Sequence, residues 1–150
     1  MYKKILVAID DSATSRLALR EAIQLAQAQQ AHLTIVHVAD KTLLGMTHRT
    51  LSTTINLDHA RDVLVDAGAK LLAEAEGEAR AAGLSLTCLL RESLGRRIAE
   101  VLVDAADESS ADLIICGTHG RRGLQRLILG SVAEQLVRLA TVSTLLVRHH

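Results

Sequence analysis

The sequence predicts a single, Rossmann-like α/β domain built on a parallel β-sheet. Short apolar runs alternate with longer amphipathic stretches along the chain, as in successive strand–helix–strand units. The first apolar run, residues 5–9, is continuous, which is typical of a strand covered by helices on both faces. The 150 residues contain no internal repeat, linker or low-complexity segment, so we expect one domain spanning residues 1–150.

Turn and capping residues mark the ends of the predicted elements. Ser12 or Thr14 is expected to cap the first helix, because a hydroxyl there accepts a hydrogen bond from a free N–H group of the first turn. Gly83 ends the long central helix, and Gly95 marks a turn. Residues 39–55 are a mixed polar stretch, and loops of that length are often functional or mobile. In chain order, we predict strand 5–9, a helix to about residue 30, strand 33–38, helix 57–82, strand 84–90, helix 96–108, strand 112–116, helix 131–140 and strand 143–147.

Composition argues against several classes of function. Lys and Arg number 17 and Asp and Glu number 17, so the basic excess of a nucleic-acid binder is missing. Tyr2 is the only aromatic residue, which excludes base-stacking platforms and leaves an aliphatic core. The two cysteines have no metal-ligand spacing, and the first apolar run is too short for a signal peptide or a membrane span. We expect a cytoplasmic protein with neither a nucleic-acid nor a membrane partner.

Glycines crowd into the segment between the fourth predicted strand and the last predicted helix. Glycine lets backbone amides approach an anion closely, and a helix N-terminus adds free N–H groups and a positive dipole end. Arg121 and Arg122 add positive charge suited to phosphate, and Ser131 is expected to donate its hydroxyl while capping the last helix. The alternative is a surface loop with strain-relieving glycines and solvated arginines. The four glycines are Gly117, Gly120, Gly123 and Gly130.

Familiar phosphate-binding and catalytic motifs are absent from the sequence. No P-loop lysine follows these glycines, and no glycine precedes Gly45, so the first strand is not followed by a dinucleotide fingerprint. The nucleophile-elbow, zinc-protease and kinase motifs are also missing. Asp10 and Asp11 suggest the acidic pair of receiver domains. That reading fails because Arg91–Glu92 and Arg148 stand at the third and fifth strand ends, where an acceptor Asp and a Lys are needed.

The glycine spacing resembles that of universal stress proteins of the nucleotide-binding subclass. That subclass carries G-x-x-G, nine residues and then G-[S/T], and residues 117–131 match this pattern in full. Residues 3–10 and 111–115 also look typical, so the resemblance covers essentially the whole chain. It implies a five-stranded parallel sheet in the order 3-2-1-4-5 with helices on both faces. Ligands of such sheets bind beyond the carboxyl ends of the strands, where the strand order reverses. In one departure from the family pattern, Ser143–Thr144 stands where many members have a proline.

The resemblance also implies a site for ATP, AMP or ADP, and leaves open whether Mg²⁺ or Mn²⁺ accompanies the phosphates. Asp10 would accept hydrogen bonds from the ribose or the adenine edge, while Ala8 and Val38 would line the adenine or hydrogen-bond it through their backbones. Gly117 would lie under the ribose. The residues expected around the phosphates are Gly120, Gly130, Ser131 and Val132. The remaining candidates inside the motif are Thr118, His119, Arg121, Arg122 and Gly123.

Several of these residues have a purely structural alternative. Asp10 would serve equally well as a cap of the first helix. His37 lies between two valines of a strand, where a buried, hydrogen-bonded structural role is expected rather than a catalytic one. Cys116 is expected to pack at the end of its strand. In the implied strand order Cys88 and Cys116 lie on non-adjacent strands, so we expect no disulfide between them.

Three functions follow from the sequence as hypotheses. The first is a cytoplasmic, adenine-nucleotide-binding signalling module of the stress response, dimeric through the apolar fifth strand, as the resemblance implies. The second is slow ATP hydrolysis at the same site, although His119 is the best base of a poor set and no residue is assigned as catalytic. The third is a stress-response interaction protein without nucleotide, whose subclass lacks the glycine motif.

Overall fold

The computed structural model describes residues 1–40, 57–119 and 129–148. Most of the polar stretch predicted at 39–55 lies outside these residues. So do Gly120, Arg121, Arg122 and Gly123, four of the predicted site residues. The described strands and helices, in chain order, are β1 (Lys4–Ala8), α1 (Ala13–Gln29), β2 (His32–Ala39), α2 (Leu57–Ala81), β3 (Leu86–Glu92), α3 (Ile98–Ser109), β4 (Leu113–Gly117), α4 (Ser131–Leu139) and β5 (Ser143–Val147).

The five strands form one parallel sheet in the order β3-β2-β1-β4-β5, as the family resemblance implied. In the centre of the sheet, Val7 of β1 is in register with Ile35 of β2 on one side and Ile115 of β4 on the other. The chain leaves β1 toward β2 and leaves β4 toward β5. The carboxyl ends of β1 and β4 therefore form the point where the strand order reverses, and parallel α/β sheets bind ligands there.

Both faces of the sheet are covered by helices, which explains the continuous apolar runs. Ile5 and Val7 point into a core shared with α1 and α2, while Leu6 points into a second core shared with α3 and α4. All three side chains are fully buried. Because successive side chains of a strand alternate between the two faces, a strand buried on both sides needs an apolar residue at every position.

Both predicted ends of the third strand are wrong, and the helix predicted from about residue 96 begins at Ile98. The third strand was expected at 84–90 but runs from Leu86 to Glu92, so Arg91 and Glu92 belong to the strand and do not follow it. Their charges are accommodated because β3 is an edge strand. Arg91 pairs with Glu108 of α3, and Glu92 pairs with Arg61 of α2.

The helix ends follow the predicted capping chemistry at α1 and α2 but not at α4. Ser12 is the N-cap of α1, and its hydroxyl accepts a hydrogen bond from the Ser15 amide. Gly83 adopts the left-handed backbone (φ 75°) expected just after a helix. Ser131, in contrast, is the first residue of α4 and not its cap, because Gly130 occupies the N-cap position. Among the described helices, none combines the length and the apolar character needed to cross a bilayer.

Candidate functional site

The candidate site lies at the carboxyl ends of β1 and β4. Strand β1 leads through Ile9 into a tight turn at Asp10, and β4 ends at Gly117 and continues into Thr118 and His119. Pairing of β1 with β4 brings the ends of these two strands together although they are more than one hundred residues apart in sequence. The topology thus unites the acidic turn with the start of the glycine-rich segment.

Hydrogen bonds within the turn after β1 hold Asp10 in place. Its backbone N–H donates to the Ser15 hydroxyl at 2.8 Å, and its carboxylate Oδ1 accepts from the Ser12 amide at 2.8 Å. Within the described part of the chain, no group is hydrogen-bonded to Oδ2. Asp10 is half-buried and does not cap α1, since Ser12 does so. One carboxylate oxygen fixes the turn, and the other remains available to a ligand.

Cys116, the next-to-last residue of β4, is affected by the Asp10 carboxylate. Burial raises the pKa of the Cys116 thiol to about 12, and the nearby Asp10 carboxylate adds to this rise. A negative charge next to the thiol opposes formation of the thiolate. Cys116 therefore stays neutral and inert, in agreement with the packing role expected for it, and both cysteines are free.

The first turn of α1 is joined to the end of β4 by hydroxyl groups. The Thr14 hydroxyl donates a short hydrogen bond to the His119 carbonyl oxygen, and the Ser12 hydroxyl approaches the same oxygen at 3.4 Å. Thr14 is buried. The sequence indicated Thr14 only as a possible helix cap, so its contact with residue 119 was missed. No local pattern signals this contact, because its two partners lie 105 residues apart in the sequence.

Two glycines permit close backbone packing at this point. A Cβ atom on Gly117 would lie 2.9 Å from the Thr14 hydroxyl and 3.0 Å from the Thr14 carbonyl carbon. A Cβ atom on Gly130 would lie 2.9 Å from the Thr118 carbonyl oxygen. That oxygen accepts a hydrogen bond from the Gly130 amide at 2.8 Å. The two ends of the glycine-rich segment therefore meet, and we refer to the contact between Thr118 and Gly130 as the neck.

The neck places the N-terminus of α4 next to the end of β4. Gly130 occupies the N-cap position and has no side chain, so the first-turn N–H groups donate no hydrogen bond to a capping side chain at that position. Ser131 is exposed and Val132 is half-buried. An uncapped helix N-terminus presents N–H groups and a partial positive charge, which together favour an anion such as phosphate.

The remaining described candidates lie around the same crevice. Ala8 ends β1 and is half-buried, while Val38 lies near the end of the neighbouring strand β2 and is 9% exposed. His119 shares a hydrogen bond between its Nδ1 and the Thr118 hydroxyl at 2.9 Å. Its Nε2 is buried and has no hydrogen-bond partner among the described residues. A buried, unpaired ring nitrogen is costly unless a bound group satisfies it.

The described site residues offer groups for an anionic ligand and no cluster of metal-binding side chains. Neither the acidic turn nor any other described part of the chain gathers three or more metal-binding side chains of His, Cys, Asp or Glu. In contrast, the N-terminus of α4 lacks a capping side chain at Gly130, and the His119 Nε2 has no hydrogen-bond partner among the described residues, so both groups suit a ligand that carries phosphate and hydroxyl groups.

Comparison with known proteins decides the family. A family model described as the universal stress protein family matches residues 1–148. The chain is a universal stress protein. A curated relative, universal stress protein YxiE of Bacillus subtilis, is 33% identical over 99% of this chain and 100% of its own length.

Solved structures agree with this assignment. The structure of hypothetical protein MJ0577 superimposes on this universal stress protein with a TM-score of 0.84, covering 100% of this chain and 98% of that one, at 23% identity. That similarity concerns the fold alone. A universal stress protein solved in complex with cAMP is 25% identical, with a TM-score of 0.67 and coverage of 98% and 97% of the two chains.

Proposed function

We propose that this universal stress protein binds an adenine nucleotide, namely ATP, ADP or AMP, and acts as a cytoplasmic signalling module of the stress response. The neck is the observation that carries the proposal. Gly130 donates to the Thr118 carbonyl, so the uncapped N-terminus of α4 lies at the crevice that Asp10 borders. Phosphate suits the helix N-terminus, and the Asp10 carboxylate suits ribose hydroxyl groups.

The comparison with known structures supports the same ligand class. The relative solved with cAMP holds an adenine nucleotide in the same fold. In this chain, Ala8 and Val38 would face the adenine and Gly117 the ribose. Ser131 and Val132 would lie at the phosphates. We propose the same phosphate role for the four motif residues outside the described part of the chain, namely Gly120, Arg121, Arg122 and Gly123.

The first experiment is an ultraviolet spectrum of the purified protein, followed by chromatography of the supernatant after heat denaturation. Tyr2 is the only aromatic residue and the chain has no tryptophan, so co-purified adenylate would dominate the absorbance. A nucleotide peak would support the proposal and identify the ligand. If no nucleotide is released and added ATP, ADP and AMP also fail to bind, the nucleotide-free interaction protein becomes the better explanation.

Calorimetric titration of variants tests which residues form the site. We expect Asp10→Ala and Gly130→Ala each to weaken adenylate binding about 10- to 100-fold. The first substitution removes the carboxylate that would accept hydrogen bonds from the ligand, and the second places a methyl group against the Thr118 carbonyl in the neck. Gly77→Ala is the matched control, because a Cβ there meets no atom within 4 Å. Full affinity in both site variants would refute the site. Repeating the titration with EDTA, Mg²⁺ or Mn²⁺ measures whether a metal accompanies the phosphates.

Slow hydrolysis is a second candidate because the Nε2 of His119 is buried and has no partner within residues 1–40, 57–119 and 129–148. In that role it would orient a water molecule toward the terminal phosphate. Phosphate release from ATP, compared between the wild type and His119→Ala, measures the contribution of this group. Release no faster than in buffer would remove the enzymatic hypothesis and leave the binding module.

We also propose a homodimer formed through β5. This strand is at the sheet edge, paired on one side with β4, and its Leu145 is 36% exposed. Helix α4, which packs on β5, exposes Val137 and Leu139. An apolar edge strand is an aggregation risk unless it is covered. Analytical ultracentrifugation should give a dimer mass, and Leu145→Lys should shift it toward the monomer.

A further inference from the structure

The peptide bond between Ile9 and Asp10 is held at both ends by side chains. Its N–H group, on Asp10, donates to the Ser15 hydroxyl at 2.8 Å. Its carbonyl oxygen, on Ile9, is 2.9 Å from Nδ1 of His37. A carbonyl oxygen only accepts hydrogen bonds, so His37 carries a hydrogen on Nδ1 and donates it.

Close packing of α2 fixes the orientation of the His37 ring. His37 is 5% exposed, and Gly68 of α2 is buried next to it. A Cβ atom on Gly68 would lie 2.6 Å from Cδ2 and 3.1 Å from Nε2 of the ring. It would also lie 3.0 Å from the Leu90 side chain. Helix α2 comes this close to the imidazole only because residue 68 has no side chain.

We propose that His37 is a positioning residue of the nucleotide site. Held by Gly68, its Nδ1–H fixes the Ile9 carbonyl and thereby sets the direction in which Asp10 presents its carboxylate. Rotation of this peptide plane would move the Asp10 Cα–Cβ bond and therefore change where the carboxylate lies. His37 itself does not contact the ligand in this account. The inference rests on the proposed function, because it concerns how well Asp10 receives a nucleotide.

Substitutions at His37 separate its hydrogen bond from its volume. In His37→Asn the amide nitrogen occupies the place of Nδ1 and can still donate to Ile9. In His37→Gln the nitrogen takes the place of Nε2, and His37→Leu has no donor. We expect the Leu and Gln variants to bind adenylate about 3- to 10-fold more weakly and Asn to stay within about 2-fold of the wild type.

A second histidine of the same strand provides the matched control. His32 is the first residue of β2 and lies at the opposite end of the strand from the crevice. Its ring nitrogens are hydrogen-bonded to the hydroxyl groups of Ser85 and Thr87. His32→Leu makes the same chemical change at the other end of β2, and we expect its adenylate affinity to equal that of the wild type.

Two further measurements distinguish positioning from a general loss of structure. First, the amide proton shift of Asp10 without nucleotide should change in His37→Leu and His37→Gln but little in His37→Asn. Second, His37→Gln should weaken binding much less in an Asp10→Ala background, because it acts through that carboxylate.

The outcomes separate the two proposals. If the wild type binds no adenylate, the proposed function is wrong. If the wild type binds and the Gln and Leu variants bind equally well, the positioning role of His37 is wrong. An equal loss with and without Asp10 would also refute it. Should His37→Leu fail to fold, the comparison of Asn with Gln decides.

Discussion

Helix α2 contains two glycines in opposite surroundings, which gives a matched test of the contact with His37. Gly77 is exposed, and a Cβ atom there would meet nothing within 4 Å. Gly68 is buried, and the same atom would lie 2.6 Å from the His37 ring. The substitutions Gly77→Ala and Gly68→Ala make an identical chemical change in one helix.

The expected magnitudes follow from helix propensity and from packing. In a helix interior alanine is favoured over glycine by about 1 kcal/mol, so Gly77→Ala should stabilise the protein by up to that amount. Gly68→Ala has the same advantage but must displace the His37 ring, and overpacking of a core costs typically about 1–3 kcal/mol. We expect Gly68→Ala to be neutral or to destabilise by up to about 2 kcal/mol.

Denaturant unfolding, followed by the helical circular dichroism signal, measures this difference. Thermal unfolding gives a second measurement, because for a domain of this length a change of about 1 kcal/mol in the free energy of unfolding shifts Tm by about 2–4 °C. Combining Gly68→Ala with His37→Ala provides the check, because the added methyl group then has room. Equal stabilisation by both glycine substitutions, or a cost at Gly68 that persists without the His37 ring, would refute the packing explanation.

Three further predictions concern other parts of the chain. Thr14→Val should lower stability by about 1–2 kcal/mol and weaken adenylate binding, because the His119 carbonyl loses the closer of its two hydroxyl donors. Unchanged stability and affinity would contradict the role of Thr14. The free energy of unfolding should fall as the pH rises above about 9, by up to about 1.4 kcal/mol per pH unit from Cys116 alone. In the unfolded chain the thiol ionises near its ordinary pKa of 9.0, whereas in the folded protein its pKa is raised to about 12. The fall should be shallower in Cys116→Ala. Leu94 is 72% exposed and has a left-handed backbone (φ 49°), a conformation that asparagine adopts more readily than leucine. Leu94→Asn should therefore raise the free energy of unfolding by about 0.5–1 kcal/mol in the same assay, and no increase would show that the backbone at residue 94 is not strained.

The type of each element and their order along the chain could be predicted because strands buried on both faces of the sheet appear in the sequence as continuous apolar runs, separated by amphipathic helices. The run at residues 5–9 and the strand at 143–147 were placed within one residue of β1 and β5. The strand order did not follow from the residues themselves; it was implied by the family resemblance. The end of β3 was misplaced because Arg91 and Glu92 resemble loop residues in sequence. Backbone pairing with Val38 and Ala39 of β2 keeps them in the strand, and salt bridges to other elements satisfy their charges.

The candidate site could be predicted only where a local pattern marked it. Gly117 and Gly130 were found through their spacing, and Asp10 through its place after the first strand. Ser131 was misread as a cap because local chemistry favours a hydroxyl there, whereas the contact of Gly130 with Thr118 sets where α4 begins. The role of Thr14 depends on a contact more than one hundred residues away, which no local pattern predicts.

The first turn of α1 connects the parts of the candidate site, and each hydroxyl there has a different partner. Ser15 holds the Asp10 amide, Ser12 caps the helix, and Thr14 reaches the His119 carbonyl at the neck. Since β1 and β4 are both anchored to this turn, a ligand that contacts Asp10 and the N-terminus of α4 would bridge segments already in fixed relation. Such preorganisation reduces the conformational entropy lost on binding. On the other side of the turn, His37 extends the same network into α2, so the position of that helix is mechanically linked to the carboxylate of Asp10.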